Sequence, residues 1–387
     1  VIGVFGLWQD LKSDPVQTEE SGSAQWRFSQ SSTSPLWKTP GLFDGMGVNT
    51  TSRLQSLGYA VFSQLDYALS EKIHILPGIR FNYDKKNVDY KREVYGGLQT
   101  TDPALIALKN GLYSNQAFNF SVNENNLSGQ VTLSYKPGKK LHTFATYSNS
   151  YKPVGVNLGG LPTSNGKVLI ELARVNPEFV THVEAGIKSE PFENTTFNLV
   201  LFHTDIKDYQ TLVQTPEIGV NRGYLANAEQ VRVQGAEIDI TLKINSFLSF
   251  SSSLAYTDGK YISFKNAPVP LEEVGGTSAF KDISGGQLPG ISKWAGSFRG
   301  DANFPGKFLQ LKGKYFISTD LFLRSTFSSS PSPSKYLNID GYHLLNLRAG
   351  FNAFNGFTII LWTRNLTNKN YFEQLLPAAG SAGHYAA

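Results

Sequence analysis

Apolar and polar residues alternate with a period of two in many segments of the chain. Successive side chains of a strand point to opposite faces, so each such segment predicts a strand with one apolar and one polar face. The alternation is clearest in four segments: 73–84, 127–135, 235–244 and 345–351. Weaker alternation marks further segments: 1–9, 54–68, 141–151, 179–191, 196–209, 248–258, 290–302, 308–325 and 357–366. The pattern therefore predicts an all-β chain of about thirteen strands.

Short and long connections alternate between these predicted strands. The short ones carry Gly, Pro, Asn or Ser turn chemistry and lie near 70, 137, 192, 245, 304 and 353. The long ones are 10–53, 91–119, 152–178, 210–228, 259–289 and 326–341. In an up-and-down meander, successive connections fall at opposite ends, so one end has tight turns and the other has long loops. Outer-membrane β-barrels are built in this way.

A soluble β-sandwich or propeller also alternates apolar and polar residues and is the competing interpretation. The predicted strands of about ten to fifteen residues are longer than the usual five or six of globular sheets, and a tilted bilayer crossing needs about nine to eleven. The favoured fold class is all-β, an antiparallel up-and-down transmembrane β-barrel. Packing of the apolar face against a second protein layer would contradict it; the residues to inspect are Ile238, Ile240, Leu345 and Leu347.

Charged residues fall on the polar side of the predicted strands. An Arg or Lys facing lipid near the midplane would cost about 2–4 kcal/mol, whereas a wet lumen tolerates charge. Solvated wall positions are the simplest interpretation of each residue taken singly. The residues expected to face the lumen, or a plug inside it, are Arg80, Asp84, Glu184, Lys188, Glu237, Asp239 and Arg348. Pro77 fits badly because it cannot donate to a strand ladder, and a local bulge is expected there.

Composition excludes several classes of function. The chain has 387 residues with 35 Lys plus Arg and 31 Asp plus Glu, so its net charge of +4 argues against a nucleic-acid binder. It has no cysteine, which excludes disulfides and thiol chemistry. No window is apolar enough for a helical span. The six histidines have no metal-ligand spacing, and no Gly-x-Ser-x-Gly or compact Ser, His and Asp set suggests an enzyme. We therefore expect no metal site, cofactor or catalytic residue.

Five segments in order resemble the TonB-dependent outer-membrane receptors, of siderophore-receptor type. "WTRNLTNKNYF" at 362–372 resembles the signature of their penultimate strand. "YSNSYKPVG" at 147–155 resembles their tyrosine-rich strand, and 176–210 resembles their Pro-Glu start and Glu-x-Gly-x-Lys strand. "NAEQVRVQGAEIDI" at 227–240 and "LPGISKWAGSFRGDANF" at 288–304 resemble the strands that follow. On this basis Ile359 to Trp362 should approach the bilayer, with Trp362 near an interface.

The resemblance implies a barrel of about twenty-two strands that holds a plug domain. With about thirteen strands visible and no Met before Val1, residues 1–387 are expected to be part of the barrel, without the plug, the first strands and the last strand. It further implies active import across the bacterial outer membrane, powered by the inner-membrane TonB complex acting on the plug. The implied ligand is an iron–siderophore complex, with haem, cobalamin or an oligosaccharide as alternatives. A passive porin, which would have an open lumen, stays an alternative function.

Basic and aromatic residues in the predicted long loops are the candidate ligand contacts. They suit an anionic iron chelate through charge and ring contacts. The stretch 83–96 holds three of them among three tyrosines, although its acidic residues also fit an ordinary solvated loop. The candidates are Lys85, Lys86, Arg92, Arg174, Arg222 and Tyr224.

Overall fold

The computed structural model describes residues 1–20, 34–164, 167–214, 223–274, 276–377 and 385–386. Within these residues, thirteen long strands form one antiparallel sheet in which each strand pairs with the next along the chain. The strands are β1 Ile2–Glu20, β2 Met46–Gln64, β3 Ile73–Tyr95, β4 Gln116–Gly138, β5 Leu141–Lys152, β6 Glu178–Ser189, β7 Thr195–Gln214, β8 Gly223–Lys243, β9 Leu248–Ser263, β10 Trp294–Phe308, β11 Leu311–Arg324, β12 Tyr342–Ala353 and β13 Thr358–Thr363. The predicted antiparallel up-and-down order is confirmed.

Shorter elements lie in the connections. Helix α1, Pro103–Leu112, is capped at its N-terminus by Asp102, whose carboxylate accepts a hydrogen bond from the amide of Ala104 at 2.8 Å. Single 3₁₀ turns are Pro35–Lys38, Ile170–Ala173, Leu271–Glu273 and Lys335–Leu337. Two-residue strands are Tyr67–Ala68, Gly155–Val156, Thr163–Ser164, Lys167–Val168, Arg174–Val175, Ala267–Pro268, Phe280–Lys281, Phe327–Ser328, Asn338–Ile339, Leu376–Pro377 and Tyr385–Ala386. In the part of the chain that the structure describes, no helix is long and apolar enough to cross a membrane.

The long strands are joined by short and long connections in alternation, as predicted, except that the predicted long connection 210–228 is only 215–222, because β7 and β8 extend into it. The end of the sheet with the short connections is called the turn end, and the other is called the loop end. One predicted turn, at 304–307, is wrong, because β10 continues through it with Pro305 opposite Lys314. The reversal lies at Leu309 and Gln310, which have φ values of 45° and 67°. Two residues with positive φ match the twist of a tight hairpin, so pairing with β11 outweighed the Pro-Gly turn signal.

The bulge expected at Pro77 is absent. Pro77 stays in register with Val131 of β4 on one side. On the other side its carbonyl accepts a hydrogen bond from Leu65 at 3.0 Å, but proline has no N–H to return. The ladder therefore stops at Gln64 and resumes at Tyr67, with no change of register.

The two faces of the sheet differ in chemistry. Directly opposed residues of paired strands share a face, so the register can be followed from β1 to β13. One face, called the apolar face, exposes large apolar side chains over its whole width: Val4, Tyr59, Val61, Ile79, Phe81, Leu127, Val131, Leu133, Tyr147, Val183, Leu201 and Ile317. An exposed apolar surface of this extent is typical of a face that contacts another apolar phase.

No second protein layer covers the apolar face in the described residues. Ile238, Ile240, Leu345 and Leu347 are each only half-buried and belong to none of the buried clusters. The soluble sandwich is therefore not the fold. One expectation about this face is wrong: Trp362 pairs with Arg348, so the two side chains lie on the opposite, polar face.

Buried clusters instead lie near the loop end. One joins the segment before β2 to helix α1 and consists of Trp37, Leu42, Phe43, Met46, Val48, Leu105, Leu112 and Tyr113. Another joins β7, β8 and β9 to the 264–293 connection and includes Tyr224, Val231, Tyr261, Phe264 and Leu288. The described parts of the connections before β2, between β3 and β4, and between β9 and β10 are thus packed against the strands, and they position side chains at this end of the sheet.

Candidate functional site

The polar face carries a continuous set of charged residues. Cross-strand pairs run from Arg80 opposite Ser128, through Lys188 opposite Asn198, to Ser318 opposite Arg348. Following these pairs places seven charged side chains on the same face: Arg80, Asp84, Glu184, Lys188, Glu237, Asp239 and Arg348. Their exposure to the lumen of a closed barrel stays a prediction.

Ion pairs organise the charges on β10, β11 and β12. Arg299 forms a two-pronged pair with Asp301, with nitrogen–oxygen distances of 2.7 and 2.9 Å. Asp320 lies 3.8 Å from both Arg299 and Arg348. A bidentate pair of this kind fixes the orientation of both the guanidinium and the carboxylate. The wall is therefore polar but locally neutral, and these guanidinium groups already have carboxylate partners.

A long connection folds over the polar face at the loop end. We call residues 153–164 and 167–177 the strap. Its Val154 and Leu161 are 1% and 0% exposed, although they lie in a connection. Gly160 has a φ of 93° and passes so close to Arg92 that a Cβ atom would overlap the guanidinium. The strap therefore packs as part of the interior of this end and does not extend into solvent.

Two strands hold the first part of the strap by its backbone. Lys86 of β3 donates to the carbonyl of Val154 at 2.6 Å, and Glu124 of β4 accepts from the amide of Val154 at 3.0 Å. The side chain of Gln116, also on β4, accepts from the amide of Leu161 and donates to its carbonyl, both at 2.9 Å. Each buried backbone group of these two strap residues thus has a partner.

Other residues tie the strap to β7 and β8 on the far side. Asn157 donates to the carbonyl of Leu225 at 2.9 Å and accepts from its amide at 2.7 Å. Gln210 donates to the carbonyls of Pro153 and Asn176, each at 3.0 Å. The strap consequently connects β3 and β4 to β7 and β8 across the intervening strands of the polar face.

The predicted ligand contacts are placed differently from what the sequence indicated. Lys85, Lys86 and Arg92 lie in β3, which runs to Tyr95, and therefore not in a loop. Lys86 holds the strap, while Arg92 is 4% exposed, with its guanidinium 4.9 Å from the ring centre of Tyr113. These two residues contact neighbouring protein groups at the loop end.

The remaining candidates do not form one group. Lys85 pairs with Leu57 and Asn123, so it lies on the face opposite Lys86. Arg174 is exposed at the end of the strap. Tyr224 lies in β8, and not in a loop as predicted, and is 3% exposed within a buried cluster. Arg222 lies outside the described residues.

Comparison of the sequence with models of known protein families identifies the family of this chain. The profile described as TonB dependent receptor-like, beta-barrel matches residues 5–366. The chain belongs to the family of TonB-dependent receptor β-barrels. Its place is accordingly the outer membrane of a Gram-negative bacterium, and the family is one of receptors and transporters and not one of enzymes.

Relatives of this TonB-dependent receptor barrel are distant in sequence. The pesticin receptor of Yersinia pestis is 24% identical over 196 residues, which are 49% of this chain and 25% of that protein. The solved ferric yersiniabactin uptake receptor FyuA of Yersinia pestis is 16% identical, with a TM-score of 0.63 over 86% of this chain and 44% of that chain. The siderophore receptor PiuA of Acinetobacter baumannii is also 16% identical, with a TM-score of 0.53 over 84% and 40%. The structural likenesses show the fold, and the chain spans less than half of each relative.

Sequence reasoning missed the side chains that fix the strap of this receptor barrel, namely Gln116, Glu124, Asn157 and Gln210. Each of them bonds backbone groups far along the chain, and such contacts leave no periodic signal. The mixed composition of "KPVGVNLGGLP" was the only local hint, because a long connection with several apolar residues is unusual for a solvated loop. The described residues contain no group of three or more His, Cys, Asp or Glu that could hold a metal ion.

Proposed function

We propose that this chain forms part of a TonB-dependent active transporter that imports a scarce ligand across the outer membrane. The observation that carries the proposal is the family match over residues 5–366, which covers β2 to β13 in full and β1 from Phe5 onward. An apolar face that contacts lipid and a polar face that encloses a path fit such a barrel. The outer membrane has no energy source of its own, so uptake against a gradient needs work delivered from the inner membrane.

Iron–siderophore complexes are the ligands that we propose. Two of the solved relatives are by name a ferric yersiniabactin uptake receptor and a siderophore receptor. The curated relative is by name a pesticin receptor. Haem, cobalamin and oligosaccharides are the alternative cargoes within the same function.

The partner that delivers energy is proposed to be the inner-membrane TonB complex, acting on a plug domain outside the present chain. This is supported by the share of the relatives that the chain spans, which is 44% of FyuA and 40% of PiuA. In this proposal residues 1–387 form part of the barrel wall around that plug. The charged residues of the polar face, from Arg80 to Arg348, would then face the plug or the water around it.

Ligand contacts are proposed at the loop end. Among the candidates that the structure describes, Arg174 is the one with an exposed side chain. Lys86 and Arg92 would act indirectly, because their contacts with the strap set where the strap lies. Lys85 lies on the apolar face, so it would contact a ligand or a lipid headgroup only outside the barrel. Tyr224 would support the loops by packing. Arg222 stays a candidate from sequence alone.

A passive porin is the competing function. A porin needs an open water-filled lumen, whereas the strap covers part of the polar face and is held by buried hydrogen bonds. The packed strap therefore supports a transporter over an open pore. We also expect no hydrolytic activity on ester or peptide substrates.

Uptake of radioactive iron by cells tests the proposal. The full-length receptor would be expressed in a host that lacks its own siderophore receptors, with iron supplied as different siderophore chelates. We expect accumulation of one chelate that disappears when TonB is deleted. Equal accumulation with and without TonB would identify a porin instead. Uptake of none of the chelates, together with TonB-dependent uptake of haem or cobalamin, would redirect the cargo assignment.

A further inference from the structure

We propose that a recess at the loop end of β10, β11 and β12 binds a planar aromatic group that carries one negative charge. This assignment rests on the proposed import function for its biological role. The recess has a volume of about 710 Å³, within the range of small-molecule sites. It lies on the polar face, because Arg324 pairs with Tyr342 in the same register that pairs Ser318 with Arg348. Its lining includes Phe322, Arg324, Tyr342, Asn346, Glu373 and Gln374.

Arg324 is held in place by its surroundings. Its Nε donates to the hydroxyl of Ser292 at 2.7 Å, and its Nη2 donates to the carbonyl of Gly290 at 2.5 Å. The guanidinium carbon lies 3.5 Å from the ring centre of Phe327, which is 3% exposed. A guanidinium fixed by two hydrogen bonds and a ring loses little further side-chain freedom when it binds a ligand. Arg324 is therefore preorganised.

The guanidinium of Arg324 can still donate a hydrogen bond to a ligand. Among the described residues, none accepts a hydrogen bond from Nη1 of Arg324, and no carboxylate lies within ion-pair distance of it. Arg299 on the same face differs, since Asp301 neutralises it at 2.7 Å. The partners of Arg324 are uncharged, so its positive charge is available to an anionic oxygen in the recess.

Aromatic side chains border the space beside Arg324. The ring of Tyr342 lies 6.3 Å from that of Phe322 and 4.6 Å from that of Tyr371, measured between ring centres. Tyr342 is 8% exposed and fixed, whereas Phe322 is 38% exposed and presents part of its ring to the opening. Such surfaces favour a flat ring, which can stack or meet them edge to face.

Glu373 restricts the charge of the ligand. Glu373 lines the same recess, and its negative charge disfavours a ligand group with two negative charges. The amides of Asn346 and Gln374 can donate or accept hydrogen bonds. The site therefore fits an aromatic monoanion whose negatively charged group contacts Arg324.

Ligand-observed NMR on the full-length receptor, purified from outer membranes in detergent, tests this assignment. Three probes separate charge from aromaticity: benzoate, neutral benzamide and non-aromatic cyclohexanecarboxylate. We expect benzoate to bind at least about fivefold more tightly than either of the others, since only benzoate uses both Arg324 and the rings. Equal binding of all three probes would overturn the proposal.

Variants locate the binding. Arg324→Gln should weaken benzoate binding at least about tenfold, because it removes the charge. Arg324→Lys should give an intermediate loss, since it keeps the charge but not the planar group. Phe322→Leu removes one ring at a position that is 38% exposed and should also weaken benzoate binding. The matched control is Arg348→Gln, on the same face but outside the recess, which should leave benzoate binding unchanged.

The outcomes separate this proposal from the import function. Heat-modifiable gel mobility would first show that each variant is folded. Unchanged benzoate binding by folded Arg324→Gln and Phe322→Leu proteins would refute the recess while leaving TonB-dependent uptake intact. Specific benzoate binding in a receptor that shows no TonB-dependent uptake would support the recess and count against import.

Discussion

Substitution of Gln116 by alanine should release the strap from β4. The amide of Gln116 bonds both the N–H and the C=O of Leu161 at 2.9 Å, and Leu161 is fully buried. Each buried polar group left without a partner costs about 1–3 kcal/mol. The local opening of the strap should then become easier by at least about 2 kcal/mol for the two groups together.

Hydrogen exchange at Leu161 measures this change directly. Since about 1.4 kcal/mol corresponds to a factor of ten, the exchange of strap amides should accelerate about thirtyfold. Gln130→Ala is the matched control, because Gln130 lies on the same strand and face but makes no contact with the strap, and it should leave exchange unchanged. Equal exchange rates in the Gln116→Ala protein and the parent would refute the view that these two bonds hold the strap.

Further substitutions test the faces, the turn and the far side of the strap. Leu133→Arg on the apolar face should lower the free energy of unfolding in lipid vesicles by about 2–4 kcal/mol, and Gln130→Arg on the polar face should not; equal losses would contradict the assignment of faces. Replacing Leu309 and Gln310 by Asn and Gly should raise the urea midpoint of unfolding, since both positions have positive φ; an unchanged or lower midpoint would speak against the tight turn. Asn157→Leu should make the strap more sensitive to limited proteolysis, because the backbone of Leu225 loses its partners; an unaltered cleavage pattern would show that other contacts suffice.

The alternation of side chains was readable from sequence because it is a local property. Ile79 and Phe81 lie on one face and Arg80 and Asp84 on the other, as the period of two requires. The strand order followed for a similar reason: in a meander each strand pairs with its neighbour in the chain. Arg222 was predicted as a ligand contact and lies outside the described residues, so nothing about its position bears on this comparison.

Errors in prediction arose where pairing outweighed local preference. The Pro-Gly step at 305–306 predicted a turn, yet β10 and β11 remain paired through it. Lys86 was assigned to a loop, yet β3 extends beyond it to Tyr95. In both cases the hydrogen bonds of a neighbouring strand extend regular structure past residues that favour a turn or loop by themselves.

The sequence alone determined the class of fold and the sidedness of the wall, because both depend on residue type at fixed short spacing, and its ordered motifs carried the resemblance to the family. Only the tertiary structure decided what the polar residues at the loop end contact. Lys86 and Val154 are 68 residues apart, and Arg324 and Gly290 are 34 apart. Such pairs form when separate strands and connections converge in space, and no periodicity along the chain records that convergence.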